Sequence, residues 1–161
     1  MSYLYYMLNN DKEIIQWLKI FEDCVQRLDY AQARSLFLPD CYCFGSQARK
    51  IVSLDDLVED QWKQVWPNIK NFGFNYALLD CRISEAKDMA SAICPWHSVG
   101  FHPDGRSFER GGRATIILGK DAPGGRWRAY HTHYSLNPGT PQNTLKQNSS
   151  ASISVARFEL R

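Results

Sequence analysis

Apolar residues at 14, 18, 21, 25 and 28 recur at spacings of 4, 3, 4 and 3, with Ile15 and Trp17 beside them, so one amphipathic helix of about 18 residues is expected there. Asn10, followed three residues later by Glu13, has the form of a capping box for its start. Asp29 can cap a second, shorter helix carrying Ala33, Leu36 and Phe37, which Pro39 ends because proline disfavours helical geometry just before it. Cys41 to Phe44 and Lys50 to Val52 read as a short hairpin. A third helix opens at Ser53 and keeps Leu54, Leu57, Val58, Trp62, Val65 and Trp66 on one side until Pro67.

From residue 72 the period changes from 3.6 to 2. Segments 72–83, 89–101, 107–119 and 127–136 are rich in β-branched and aromatic residues, and turn formers such as His102-Pro103-Asp104-Gly105 and Ala122-Pro123-Gly124-Gly125 separate them. Helices first and strands afterwards make an α+β fold, with three N-terminal helices packed on one face of a strongly curved antiparallel sheet. Residues 1–141 are expected to form one domain, and 142–161 a polar tail in which Ile153, Val155 and Phe158 are spaced to dock as a short last strand.

With 44% hydrophobic residues, the chain of 161 has enough apolar side chain to build a core without disulfides or metal, which excludes disorder over its length. No apolar run approaches the roughly 20 residues of a membrane span, and the opening residues lack the pattern of a signal peptide, so a cytoplasmic protein without membrane partners is expected. The halves 1–80 and 81–161 carry −3 and +5, and with a pI near 8.3 and scattered basic residues no nucleic-acid partner is expected. Cys24, Cys41, Cys43, Cys81 and Cys94 form no Cys-x-x-Cys pair and read as reduced, mostly buried thiols.

The order of elements, together with Leu28-Asp29-Tyr30, Gly111-Gly112-Arg113-Ala114-Thr115 and the stretch from Trp127 to Ser135, resembles the SnoaL-like branch of the nuclear transport factor 2-like superfamily, the fold also used by ketosteroid isomerases. The resemblance spans residues 11 to 141. It implies a conical half-barrel with a deep cavity between helices and sheet, in a homodimer packed sheet to sheet. Similarity to the association domain of calmodulin-dependent kinase implies that Tyr134 points into the cavity, and Tyr130 and Thr132 with it. By the same alignment Glu109, Arg113, Thr115 and Ile117 face inward on the preceding strand, and Trp96 and Ser98 on the one before. His131 and His133 then face the dimer partner.

Within that frame, Tyr42, Trp62, Trp96, Arg113, Tyr130, Thr132 and Tyr134 are the candidate ligand contacts. Arg113 is expected to receive the carboxylate of a partly apolar small molecule, because a buried guanidinium must find an anion. Ketosteroid isomerase-type chemistry, used in general accounts as the worked case of a neutral acid beside a carboxylate base, would draw its base from Asp40 or Glu109 and its acid from Tyr42, Tyr130 or Tyr134. His131-x-His133 reads either as an interface pair or as two metal ligands, but no Glu or Asp follows within six residues, so no metal is expected. No cofactor-binding motif is present. The sequence therefore leads to a small-molecule binding protein, with a cofactor-free isomerase, dehydratase or cyclase as the alternative.

Overall fold

The computed structural model describes residues 3–47 and 50–144. Helix α1 spans Tyr3–Arg27, starting well before Asn10, since no glycine or proline interrupts the chain from Tyr3 onward. Ile14, Trp17, Leu18, Phe21, Cys24 and Val25 form its buried stripe. Leu28 leaves that stripe: its φ of 59° is the left-handed turn that ends the helix, and its side chain is exposed. Asp29 caps α2 (Tyr30–Ser35) by accepting from the Gln32 N–H at 2.9 Å. This helix stops before Phe37, which opens strand β1 (Phe37–Phe44), so Pro39 lies in a strand irregularity rather than at a helix end.

The expected hairpin reduces to one antiparallel bridge between Cys43 and Ile51. Ser53 then caps a third helical run, 54–68, by accepting from the Asp56 N–H at 3.1 Å. Its middle, Leu57–Trp62, is a π-helix, and it closes in a 3-10 turn, Trp66–Asn68, that contains Pro67. The segment expected as one strand over 72–83 is two, β2 (Lys70–Phe74) and β3 (Asp80–Ile83), both paired with β4 (Met89–Phe101). Strands β5 (Ser107–Lys120) and β6 (Trp127–Leu136) complete the meander.

Six strands form one curled, open sheet in the order β1-β6-β5-β4-β2, with β3 beside β4. All pairs are antiparallel except β1 with β6, which is parallel because β1 enters from α2 at the end of the sheet where β6 begins. The helices cover the inner face, and the core joins the α1 stripe to Ala92, Cys94 and Trp96 of β4, Ala114, Ile116 and Leu118 of β5, and Trp127 and Ala129 of β6. This is the α+β cone. Its packing continues past Pro141: the Thr144 hydroxyl accepts from the Phe101 N–H at 2.7 Å and donates to the Asn68 carbonyl at 2.8 Å. Ile153, Val155 and Phe158 lie outside the described residues.

Candidate functional site

Cross-strand partners share a face of a sheet, so the inward side of one strand fixes that of the next. Trp96 and Ser98 are buried against the helices, and they stand opposite Gly112 and Arg110. The inward set on β5 is therefore Arg110, Gly112, Ala114, Ile116 and Leu118, all buried. This inverts the expected facing of the strand. Arg113 and Glu109 are exposed on the outer face, with Thr115 and Ile117 half-buried beside them. The sequence held a signal for this arrangement: Gly112, Ala114, Ile116 and Leu118 make an unbroken alternate set of small and apolar residues, and Arg110 continues it.

On β6 a bulge changes the phase. Ile117 pairs with His131 and Leu118 with Ala129, which leaves Tyr130 as the extra residue. Trp127 and Ala129 face inward before it, and Thr132 and Tyr134 face inward after it. Tyr130 is thereby turned to the outer face, where its ring lies 3.8 Å from the point a Cβ on Gly119 would occupy. His131 and His133 share that outer face, as expected. Phe44 packs on both rings, at 6.0 and 5.4 Å between centroids, and His131 Nδ1 donates to the Tyr42 carbonyl at 2.6 Å. The Tyr42 ring is 42% exposed beneath the Lys50 ammonium, and Asp40 is exposed, so neither reaches the interior. Among the described residues no group of three His, Cys, Asp or Glu side chains is placed to hold a metal.

The interior contains a cavity of about 40 Å³ between the helices and the inner face. Of the expected contacts, Trp62, Trp96, Thr132 and Tyr134 line it, whereas Tyr42, Arg113 and Tyr130 do not. Its apolar wall is aromatic: Trp62 stacks on Trp66 at 4.6 Å, Phe37 meets Trp62 at 5.1 Å, and Phe72 meets Trp96 at 6.0 Å. The π-helical segment contributes Leu57, Gln61 and Trp62, and such segments are frequent at functional sites because their extra residue re-aims side chains.

At the polar end lies Arg110, 3% exposed. Its guanidinium sits 5.0 Å from the centre of the Trp96 indole, and Nη2 donates to Ser46 Oγ at 2.9 Å. Gln61 Nε2 also donates to Ser46 Oγ, and Gln61 Oε1 accepts from the Gln47 N–H, so the 45–47 turn is tied to the third helical run. Gly45 permits this closure, since a Cβ there would stand 2.1 Å from Gln61 Oε1. No carboxylate among the described residues pairs with Arg110, and burial alone pulls its pKa down to about 10. Arg110 Nε, Trp96 Nε1 and the Tyr134 hydroxyl are buried without hydrogen-bond partners among the described residues, and burial raises the Tyr134 phenol well above its ordinary pKa, so it stays protonated.

Beneath this end, Cys41 and Cys43 project from alternate positions of β1 into the core. A hydrogen bond between the two thiols, reinforced at Cys43 by Thr132, lowers the pKa of Cys43 and raises that of Cys41. All five cysteines are free, and all but Cys81 are buried.

A family model described as the SnoaL-like domain matches residues 14–138. Among solved structures, the chain is similar to a nuclear transport factor 2-like superfamily protein from Salmonella enterica serovar Typhimurium, with 18% identity, TM-score 0.69, and 84% of this chain and 96% of that one covered. It is similar to a protein with a cystatin-like fold from Caulobacter vibrioides, at 18% identity and TM-score 0.65 over 81% and 92% of the two chains. A ketosteroid isomerase-like protein from Erwinia carotovora atroseptica aligns at 16% identity and TM-score 0.62 over 78% and 92%. At these identities the likeness establishes the fold. No curated protein matches the chain.

Proposed function

The chain belongs to the SnoaL-like domain family, and from that premise we propose that it binds a small, partly apolar organic acid in the cavity between helices and sheet. One observation carries this reading: Arg110 is a buried cation with no counter-ion among the described residues, at the polar end of a cavity whose apolar wall is largely aromatic. An unpaired buried charge is costly, and a bound carboxylate supplies the missing partner. Arg110 takes the part expected of Arg113, three residues further along the strand.

Binding is favoured over acid–base catalysis because, among the described residues, no carboxylate or histidine lines the cavity, and the two candidate bases, Asp40 and Glu109, are exposed outside it. Titration calorimetry with a panel of small carboxylates tests the proposal. Binding is expected in the wild type and in Arg113→Met, whose substitution lies on the outer face, and is expected to vanish in Arg110→Met. Equal affinity in Arg110→Met and wild type would remove the basis of the reading.

The outer face supports a homodimer. Met89 and Ile93 are 48% and 50% exposed there, beside half-buried Val99, Thr115 and Ile117, and soluble monomers seldom leave such a face open. His131 and His133 belong to that surface. Sedimentation equilibrium at micromolar concentration should give twice the chain mass of 18.6 kDa, and the single-chain mass would overturn the dimer.

A further inference from the structure

The polarity and the size of the cavity together narrow what can occupy it. Its polar end holds three donors without partners among the described residues, beside Ser46, Gln61 and Thr132, whose oxygens can accept. Arg110 Nε–H and Trp96 Nε1–H cannot accept, and the Tyr134 hydroxyl, held protonated by burial, has its proton to give. These three groups are the buried side-chain polar atoms without partners among the described residues, and all three side chains line one cavity. They are held in place: the guanidinium is stacked on the indole, the indole lies across Gly112 where a Cβ would come within 2.7 Å of it, and the Tyr134 ring is 6.3 Å from Trp96. An occupant must therefore bring acceptors. A carboxylate has two oxygens with about four lone-pair positions, enough for all three donors, whereas an amide brings one acceptor oxygen and no charge to set against the guanidinium.

Space sets the second limit. A cavity of about 150 Å³ accommodates benzene, and a single water needs roughly 10–15 Å³. The 40 Å³ found here accepts about three waters, or a carboxylate with a very short carbon chain behind it, but no aromatic ring. Enlarging it means displacing Trp62, Trp66, Phe21 or Phe72, which pack on one another at 4.6 to 6.5 Å between ring centres. Close-packed interiors resist such movement.

We propose that the cavity is a site for short-chain aliphatic monocarboxylates, of the size of acetate and propionate, with the unpartnered donors of Arg110, Trp96 and Tyr134 as the cradle for the carboxylate. This rests on the proposed binding of an organic acid in the cavity and names its class. Arg110 supplies the charge, Trp96 and Tyr134 the direction, and the stacked tryptophans limit the length of the chain.

The test is a titration of the whole wild-type protein with acetate, propionate, hexanoate, benzoate and propionamide, read by calorimetry and by tryptophan fluorescence. Acetate and propionate should bind saturably at one site per chain, propionamide at least 100-fold more weakly than propionate, and hexanoate and benzoate more weakly than both short acids. Trp96→Phe and Tyr134→Phe, which remove one donor each and keep the ring, should each weaken propionate about tenfold. Propionamide binding as tightly as propionate would overturn the role of the three donors in holding a carboxylate. Benzoate or hexanoate binding more tightly than propionate would overturn the size class while leaving the organic-acid reading intact. Failure of every carboxylate to bind would overturn both.

Discussion

Replacing Arg110 with methionine should make the ligand-free protein more stable. The guanidinium is 3% exposed, faces no carboxylate among the described residues, and has its pKa drawn down to about 10 by burial. At 1.36 kcal/mol per pKa unit, keeping it charged inside the fold costs about 3 kcal/mol at neutral pH. The sign follows from the direction of the shift. Between pH 10 and the ordinary guanidinium pKa the unfolded chain holds a proton that the folded one releases, so this cost is fully present below pH 10 and is relieved as pH rises above it. Two favourable contacts offset part of it: stacking on Trp96, about 1 kcal/mol, and the hydrogen bond to Ser46, about 1 kcal/mol. Methionine restores contact with the indole through a soft, unbranched chain. The expected net gain is about 1 kcal/mol. Urea unfolding followed by tryptophan fluorescence should show a higher midpoint at unchanged slope. Adding a binding carboxylate should stabilise the wild type by mass action and leave Arg110→Met where it was. A lower midpoint for the ligand-free variant would refute the argument, because it would make the guanidinium a net stabiliser of the empty fold.

Gly112→Ala should cost about 3 kcal/mol in the same assay, since its Cβ would stand 1.8 Å from the Ser135 carbonyl oxygen and 2.7 Å from the Trp96 ring, forcing the β5–β6 ladder to shift. Ser53→Ala removes the acceptor for the Asp56 N–H and should lower the stability by about 1 kcal/mol, with Ser53→Asp restoring it. Glu13 has its pKa lowered below 4.5 by the hydrogen bond from Lys120 and then by that from Trp127 Nε1, so its contribution is present above pH 4.5 and lost as pH falls through the lower folded value. Unfolding of Glu13→Gln below pH 4.5 should accordingly depend less steeply on pH than that of the wild type, and equal steepness would contradict the assignment.

The sequence by itself determined the class of fold. The 4-3-4 spacing from Ile14 to Val25, the caps at Asp29 and Ser53, and the change to period 2 are local signals, and local signals survive translation into structure because they depend on residues within one or two turns. It also marked Trp62, Trp96, Thr132 and Tyr134, residues that the cavity does contain. Tertiary structure settled which arginine is inside, although the alternation of Gly112, Ala114, Ile116 and Leu118 already favoured Arg110. Strand faces alternate with a period of two, so Arg113 and Arg110 exchange places if the phase slips by a single residue, and the phase of β5 is set by pairing with β4 across the sheet. The bulge at Tyr130 is of the same kind: it arises between β5 and β6, and no pattern within β6 announces it. The polar end of the cavity likewise joins Ser46, Gln61, Trp96, Arg110 and Tyr134, which are far apart along the chain. Their common purpose becomes visible only when the curl of the sheet and the π-helical segment bring them to one small space.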